Sequence, residues 1–246
     1  MCYHPGSMSD DPNAVIEALH AFFPQRAQAV VAILKRENGK ANRIEIWRED
    51  QLTKFVATLI LTASELERAH NERRISTIAW LTRNLLELSI WIEFCNETTE
   101  QAQRFNADAT RDLYGISKAV QTLVVLDKGL EDVELRGSQQ RLSAFGQSLG
   151  IDQLSDDFKR VSDAAEVLGR RKVFLGLNKV LSKFAHPTAW AVNSVLSLEA
   201  DTGLRNMFFS DGVAMAIDSL NSIRNFILKS YPELNSVIPS GIVPAG

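Results

Sequence analysis

From Ser76 to Asn96 the sequence reads STIAWLTRNLLELSIWIEFCN, and its apolar residues leave almost no face of a helix polar. Ile78, Trp80, Leu81, Leu85, Leu86, Leu88, Ile90, Trp91, Ile92 and Phe94 all belong to this one segment. A helix that is hydrophobic all round must be enclosed by others, so this stretch predicts the centre of a bundle. It is the nearest approach in the chain to a membrane helix, but Arg83, Glu87 and Glu93 interrupt it before ~18 apolar residues accumulate. A membrane is therefore not an expected partner.

The rest of the chain supplies helices to surround that centre. Asp10 or Asp11 before Pro12 is a helix start, since proline is pre-organised for the first helical position. Val15, Ile16, Leu19, Phe22 and Phe23 follow at helical spacing up to Pro24, and a second segment from Gln25 ends at Asn38-Gly39. The segment 43–73 carries Leu52, Phe55, Val56, Leu59 and Leu66, and its polar last turns are expected to project into solvent. Ser76 reads as the cap of the central helix. Thr98 or Thr99 starts a long helix toward Lys128 that Gly115 is expected to interrupt. Shorter helices are expected over 139–149 and 155–168, then over 172–186 until Pro187, then from about Gly212 to Lys229 after a break at Gly203. No β alternation or repeat appears. The fold class is all-α, a bundle of long antiparallel helices.

Residues 1–11 read as a disordered or tag-like start, 12–73 as an N-terminal helical extension, 76–230 as the core and 231–246 as a flexible tail. Across 246 residues the chain is 45% hydrophobic and 23% charged, which is ordinary for a globular protein. A net charge of −3 argues against non-specific coating of nucleic acid, so any such contact must be local. Cys2 and Cys95 do not make a disulfide framework and read as reduced thiols. The start lacks the apolar run of a secretory signal, so a cytoplasmic location is expected.

The local exception to the acidic balance is Val167–Leu198, which holds no Asp or Glu but does hold Arg170, Arg171, Lys172, Lys179, Lys183 and His186. On a helix, Lys172, Lys179, Lys183 and His186 fall within roughly 60° of one another. The opposite arc holds Phe174, Leu177, Val180, Leu181, Phe184 and Ala185. One helix thus presents an apolar side for packing and a line of cations ending in a histidine. In the central helix, Trp80, Asn84, Glu87 and Trp91 share a face with Arg83 at its edge. Ionised groups there need partners, either each other or a ligand shared with the cationic helix.

Arg83-x-x-x-Glu87 in an apolar helix, then Leu181-Ser182-x-x-x-His186-Pro187 about a hundred residues on, resembles an uncharacterised bacterial all-helical family. That family is similar to the HEPN superfamily (higher eukaryotes and prokaryotes nucleotide-binding domain), and the resemblance covers about residues 76–230. It implies a HEPN-like core and a metal-independent endoribonuclease of a toxin or phage-defence system, without cofactors and often dimeric. HEPN ribonucleases carry an arginine four to six residues before a histidine near a helix end. Here His186 matches the histidine, and Lys179, seven residues earlier, stands in the arginine's place. That is a departure, because lysine is a point charge where arginine is a fork. The resemblance implies catalytic roles for His186 and Lys179 with Arg83 and Glu87 in support, and substrate binding by Lys172, Ser182, Lys183 and Asn84. RNA or a nucleotide, an antitoxin-like protein and a second copy in a homodimer are the partners it implies.

The residues themselves leave three readings open: a ribonuclease, a non-catalytic nucleotide- or RNA-binding module, and a helical scaffold or partner-binding protein with no enzymatic activity. A histidine suits general acid–base work near neutral pH, and cations suit a phosphorane-like transition state. A lysine stripe is also an ordinary solvated helix face. Glu17-x-x-His20 and Glu67-x-x-His70 have di-iron spacing but lack the carboxylate helices that should precede them, so no metal site is expected. Trp47, Trp80, Trp91 and Trp190 read as core rather than as a base-stacking platform.

Overall fold

A computed structural model describes residues 46–128, 133–148, 160–186 and 188–230. The expected helices within 12–38, the N-terminal residues 1–11 and the tail 231–246 lie outside the described residues. Among those described the chain is helical with no strand: α1 (Ile46–Asn71), α2 (Ile75–Glu97), α3 (Thr99–Lys128), α4 (Val133–Ser148), α5 (Val161–Val167), α6 (Arg171–Ala185), α7 (Ala189–Ala200) and α8 (Thr202–Ser230).

The apolar helix α2 is the centre, and α1, α3, α5, α6 and α8 all pack against it. Ile78, Leu85, Ile90, Ile92 and Phe94 are each at most 1% exposed, as are Leu52, Leu59 and Leu66 of α1 and Phe208, Phe209 and Val213 of α8. Burying a side chain of this size contributes about 1.5–3 kcal/mol, so this shared core dominates the stability. The last turns of α1 do not project into solvent as their polarity suggests. Leu66 and Ala69 are fully buried, and His70 stacks on Phe209 with ring centroids 4.2 Å apart. Two apolar residues at helical spacing sufficed to dock an otherwise polar turn.

Chain direction follows from cross-helix pairs. Thr82 Oγ1 donates to the Phe208 carbonyl at 2.8 Å and Asn96 Nδ2 to Ser222 Oγ at 3.0 Å, so α2 and α8 run parallel. Arg83 meets Asn178 and Glu93 meets Arg170, so α6 runs antiparallel to α2. The C-terminal end of α6 and the start of α8 therefore sit at the same end of the bundle, and α7 is the short lateral link between them.

Local chemistry sets the helix ends. Thr98 caps α3, its hydroxyl accepting from the Gln101 amide at 3.1 Å. Gly115 does not interrupt that helix, and α4 starts earlier than the pattern implies, at Val133. Gly203 is no break either: Asp201 Oδ1 accepts from the Leu204 amide at 2.9 Å, which caps α8 and leaves Gly203 in its first turn. Ser76 lies inside α2 rather than capping it.

Among the described residues two helices end in Schellman turns. After α5, Gly169 N–H bonds the Glu166 carbonyl and Arg170 N–H the Ala165 carbonyl, with Gly169 at φ 68°. After α1 the same pattern links Arg73 to His70 and Arg74 to Ala69, but the left-handed position is Arg73 at φ 60°. A side chain there costs about 1–2 kcal/mol that glycine avoids. Arg73→Gly is expected to raise stability by about 0.5–1 kcal/mol, after its greater unfolded-state entropy is set against the relieved strain. Urea denaturation checks this; a lower midpoint would mean the Arg73 side chain holds the turn by a contact that outweighs the strain.

Candidate functional site

The site is built where the C-terminal half of α6 crosses the middle of α2. Arg83 of α2 is its hub. Nε donates to Asn178 Oδ1 at 2.8 Å, Nη2 pairs with Glu87 Oε1 at 3.0 Å, and Nη1 lies 3.2 Å from His186 Nε2. Arginine can only donate, so Nε2 is the acceptor of that contact and the imidazole proton sits on Nδ1. The Arg83 and Glu87 side chains are 26% and 29% exposed, at the solvent edge of the α2–α6 contact. A planar fork with several fixed donors suits this crossing, because it can hold three partners at once.

Sequence explains why these groups meet. Arg83 sits at the edge of the polar face that α2 keeps. On α6 the buried side is Phe174, Leu181 and Phe184, which lock the helix against the bundle. Asn178, Ser182 and His186 follow at steps of four residues, along the border between that side and the lysine stripe. His186 itself is the residue at which α6 ends, with φ −114° and ψ 150°. Its carbonyl accepts from the Thr188 amide at 2.7 Å, and the Thr188 hydroxyl accepts from the Ala191 amide at 3.2 Å, capping α7. The corner that carries the histidine is thereby pinned on both sides.

The expected site residues separate into groups. Arg83, Glu87 and His186 are brought together. Lys179 and Lys183 lie on the exposed side of α6 within two turns of His186, and neither has an ion-pair partner among the described residues. Ser182 is half-buried between Asn178 and His186. Lys172 is on the same stripe but about 21 Å along the helix from His186, given a rise of about 1.5 Å per residue. Asn84 is half-buried on α2 and does not bond to Arg83. Asn178 belongs to the cluster and a reading by charge overlooked it. Its position eight residues before His186, with Ser182 midway, is the signal that was there to find.

The acid-free stretch is neutralised at its start by other elements. Arg170 pairs with Glu93 of α2, and Arg171 with Glu166 of α5 at 2.9 Å. Asp218 of α8 is near the first pair. Partial burial raises its carboxyl pKa above the usual value, Arg170 acts against that shift, and Glu93 adds to it. Among the described residues the α6 cations without an ion-pair partner are Lys172 near its start and Lys179 and Lys183 toward His186.

Three expectations need correction. Val180 is 48% exposed, because it lies at the margin of the apolar arc beside the α6–α7 corner. Trp80 and Trp190 are 47% and 49% exposed, although an aromatic residue in an apolar helix reads as core. Trp91 does pack inward, with its ring centroid 4.9 Å from that of Phe105. The Trp47 side chain and the Glu17-x-x-His20 pair lie outside the described residues. His70 Nε2 is 3.1 Å from Asn206 Oδ1, so that ring is engaged between α1 and α8. Among the described residues no cluster of three or more His, Cys, Asp or Glu side chains could hold a metal ion. No described helix is long and apolar enough to cross a membrane.

No protein-family model, no curated protein and no solved structure matches this chain.

Proposed function

We propose that the protein is a HEPN-like, metal-independent endoribonuclease whose reacting groups are His186 and Arg83. The observation that carries this reading is the 3.2 Å contact between Arg83 Nη1 and His186 Nε2, made by residues 103 apart in sequence. The expected family pattern places arginine and histidine on one helix, where this chain has Lys179. Here the fork arrives from α2 instead.

In the resting site the guanidinium occupies the histidine's acceptor nitrogen. An RNA phosphate reaching this edge competes for Nη1, while Asn178 keeps Nε and Glu87 keeps Nη2 in place. Nε2 is then released to take the proton of the 2′-hydroxyl. The 2′ oxygen attacks phosphorus, the bond to the 5′ oxygen breaks, and water protonates the departing oxygen. The products are a 2′,3′-cyclic phosphate and a free 5′-hydroxyl. Arg83 faces the charge that grows on the phosphorane, and Lys179 and Lys183 draw the strand to the helix.

A second reading is favoured by a specific observation. Arg83 already makes three bonds without a ligand, so the cluster also suits a module that binds RNA or a nucleotide and does no chemistry. Against a purely structural clamp stands the exposure of His186 beside two lysines that have no ion-pair partner among the described residues. A group whose only task is to tie α2 to α6 has no need of either.

The test is cleavage of single-stranded RNA in EDTA, with the products analysed for cyclic phosphate ends. His186→Ala is expected to lower the rate by about 10²–10⁴-fold while the helical circular dichroism is unchanged. Cleavage that survives the substitution removes His186 from the mechanism. Salt-sensitive binding by the wild-type chain without turnover assigns the second reading. Growth arrest on expression in bacteria, relieved by His186→Ala, would place the activity in a toxin or defence setting.

A further inference from the structure

Beside His186, where α6 turns into α7, lies an open groove of about 570 Å³ lined by Val180, Lys183, Phe184, Thr188, Ala189 and Trp190. Its aromatic wall is fixed from beneath. Trp190 meets Phe184 edge to face at 5.1 Å and 86°, and Phe184 meets Phe208 of the core at 4.8 Å and 72°. Trp190 is nevertheless 49% exposed, and Val180 in the same groove 48%. The corner is set by Thr188, whose hydroxyl bonds the Lys183 carbonyl and the Ala191 amide. A ring with an open side, an aliphatic wall and an ammonium without an ion-pair partner among the described residues thus line one groove at the α6–α7 corner that carries His186.

That combination matches one chemistry well: a planar heteroaromatic ring carried on an anionic backbone. The volume falls in the range of about 300–1,000 Å³ that accepts such a group. An acidic peptide would satisfy Lys179 and Lys183 but leave the aromatic floor unused. A duplex would satisfy the lysines too, yet its bases are stacked and cannot reach a side-chain ring. We propose that this groove seats an unstacked base of single-stranded RNA on Trp190, with Lys183 on its phosphate and the neighbouring phosphodiester at Arg83 and His186. The inference rests on the reading of the α6 face as an RNA site, and it narrows the substrate to unpaired strands.

The experiment uses the full chain carrying His186→Ala, so that bound RNA is not consumed. A labelled single-stranded oligoribonucleotide, the same sequence as a duplex, AMP and inorganic phosphate are the probes. Adding Trp190→Ala is expected to weaken single-strand binding about tenfold, the scale of one lost base–aromatic stack, while Trp190→Phe keeps most of the affinity. AMP should compete and quench tryptophan fluorescence in a Trp190-dependent way, whereas inorganic phosphate should do neither. With His186 intact the same loss should appear in KM. Equal binding by the Trp190→Ala protein, or equal loss for duplex and single strand, overturns the inference even if the chain cleaves RNA. Trp190-dependent binding without any cleavage by the wild-type chain keeps the groove and sinks the ribonuclease. Binding of an acidic peptide in place of RNA assigns the groove to a protein partner and overturns it as well.

Discussion

Gly212→Val should lower the stability of the bundle by at least about 2–3 kcal/mol, the cost of forcing extra atoms into a close-packed interior. A Cβ at Gly212 would stand 2.7 Å from Leu66 Cδ2, 2.8 Å from Thr82 Oγ1 and 3.5 Å from Leu85 Cδ1. Three helices therefore meet at this point with no room for a side chain. The Leu66 methyl could rotate aside, but Thr82 is fully buried and its hydroxyl is held by the Phe208 carbonyl at 2.8 Å. Moving it would forfeit that bond or part α2 from α8. Gly212→Ala is the milder case, because alanine regains up to about 1 kcal/mol of helix propensity. Urea midpoints for the two variants, at unchanged slope, measure the effect. A valine variant as stable as the parent would mean that α8 crosses α1 and α2 more loosely than the distances imply.

The second large effect is expected from Arg83→Lys. Lysine keeps the charge and fits the same rim, but one ammonium cannot hold Glu87, Asn178 and His186 in the geometry of a planar fork. Cleavage should fall by about 10²–10³-fold, as when a positioned donor is removed from a developing anion. Stability should fall by no more than about 1 kcal/mol, because Glu87 keeps a cation within reach and is partly solvated. Arg83→Leu separates the two contributions, since it leaves Glu87 without a partner and should cost more stability than the lysine variant. Single-turnover cleavage beside urea denaturation reads both. A lysine variant with parental activity would show that only the charge of Arg83 matters and that the bonds seen here are incidental to the chemistry.

The bundle was largely legible in the sequence because its constraints are periodic. A helix apolar on every side has to be the centre, and α2 is. The site was half legible for a related reason: Arg83 and Glu87 stand out in apolar surroundings, and His186 ends a helix that has an apolar side. What could not be read was partnership across the chain. Glu93 and Glu166 neutralise Arg170 and Arg171 from other elements, so the basic stretch is shorter than it looks. Asn178 carries no charge and leaves no mark in a count of cations. The exposure of Trp80 and Trp190 was hidden because an aromatic residue reports that a surface exists, not which surface it faces. Gly203 and Gly115 misled for a simpler reason. A glycine weakens a helix by about 1 kcal/mol, which a well-placed cap or a docked neighbour overrides.

Thr82, wedged in the Gly212 crossing, is the residue before Arg83. The guanidinium is therefore carried by backbone in the close-packed middle of the bundle, where opening is expected to take close to the global free energy. The imidazole hangs instead from the residue that caps the C-terminal end of α6, on an exposed corner held by the Thr188 bonds, where local opening is expected to take less free energy. The two halves of the pair are thus expected to open at different free energies, which amide hydrogen exchange in α2 and at the α6 end would read. Exchange of one occupant for another at this site is then expected to move the corner and leave the α1–α2–α8 core closed.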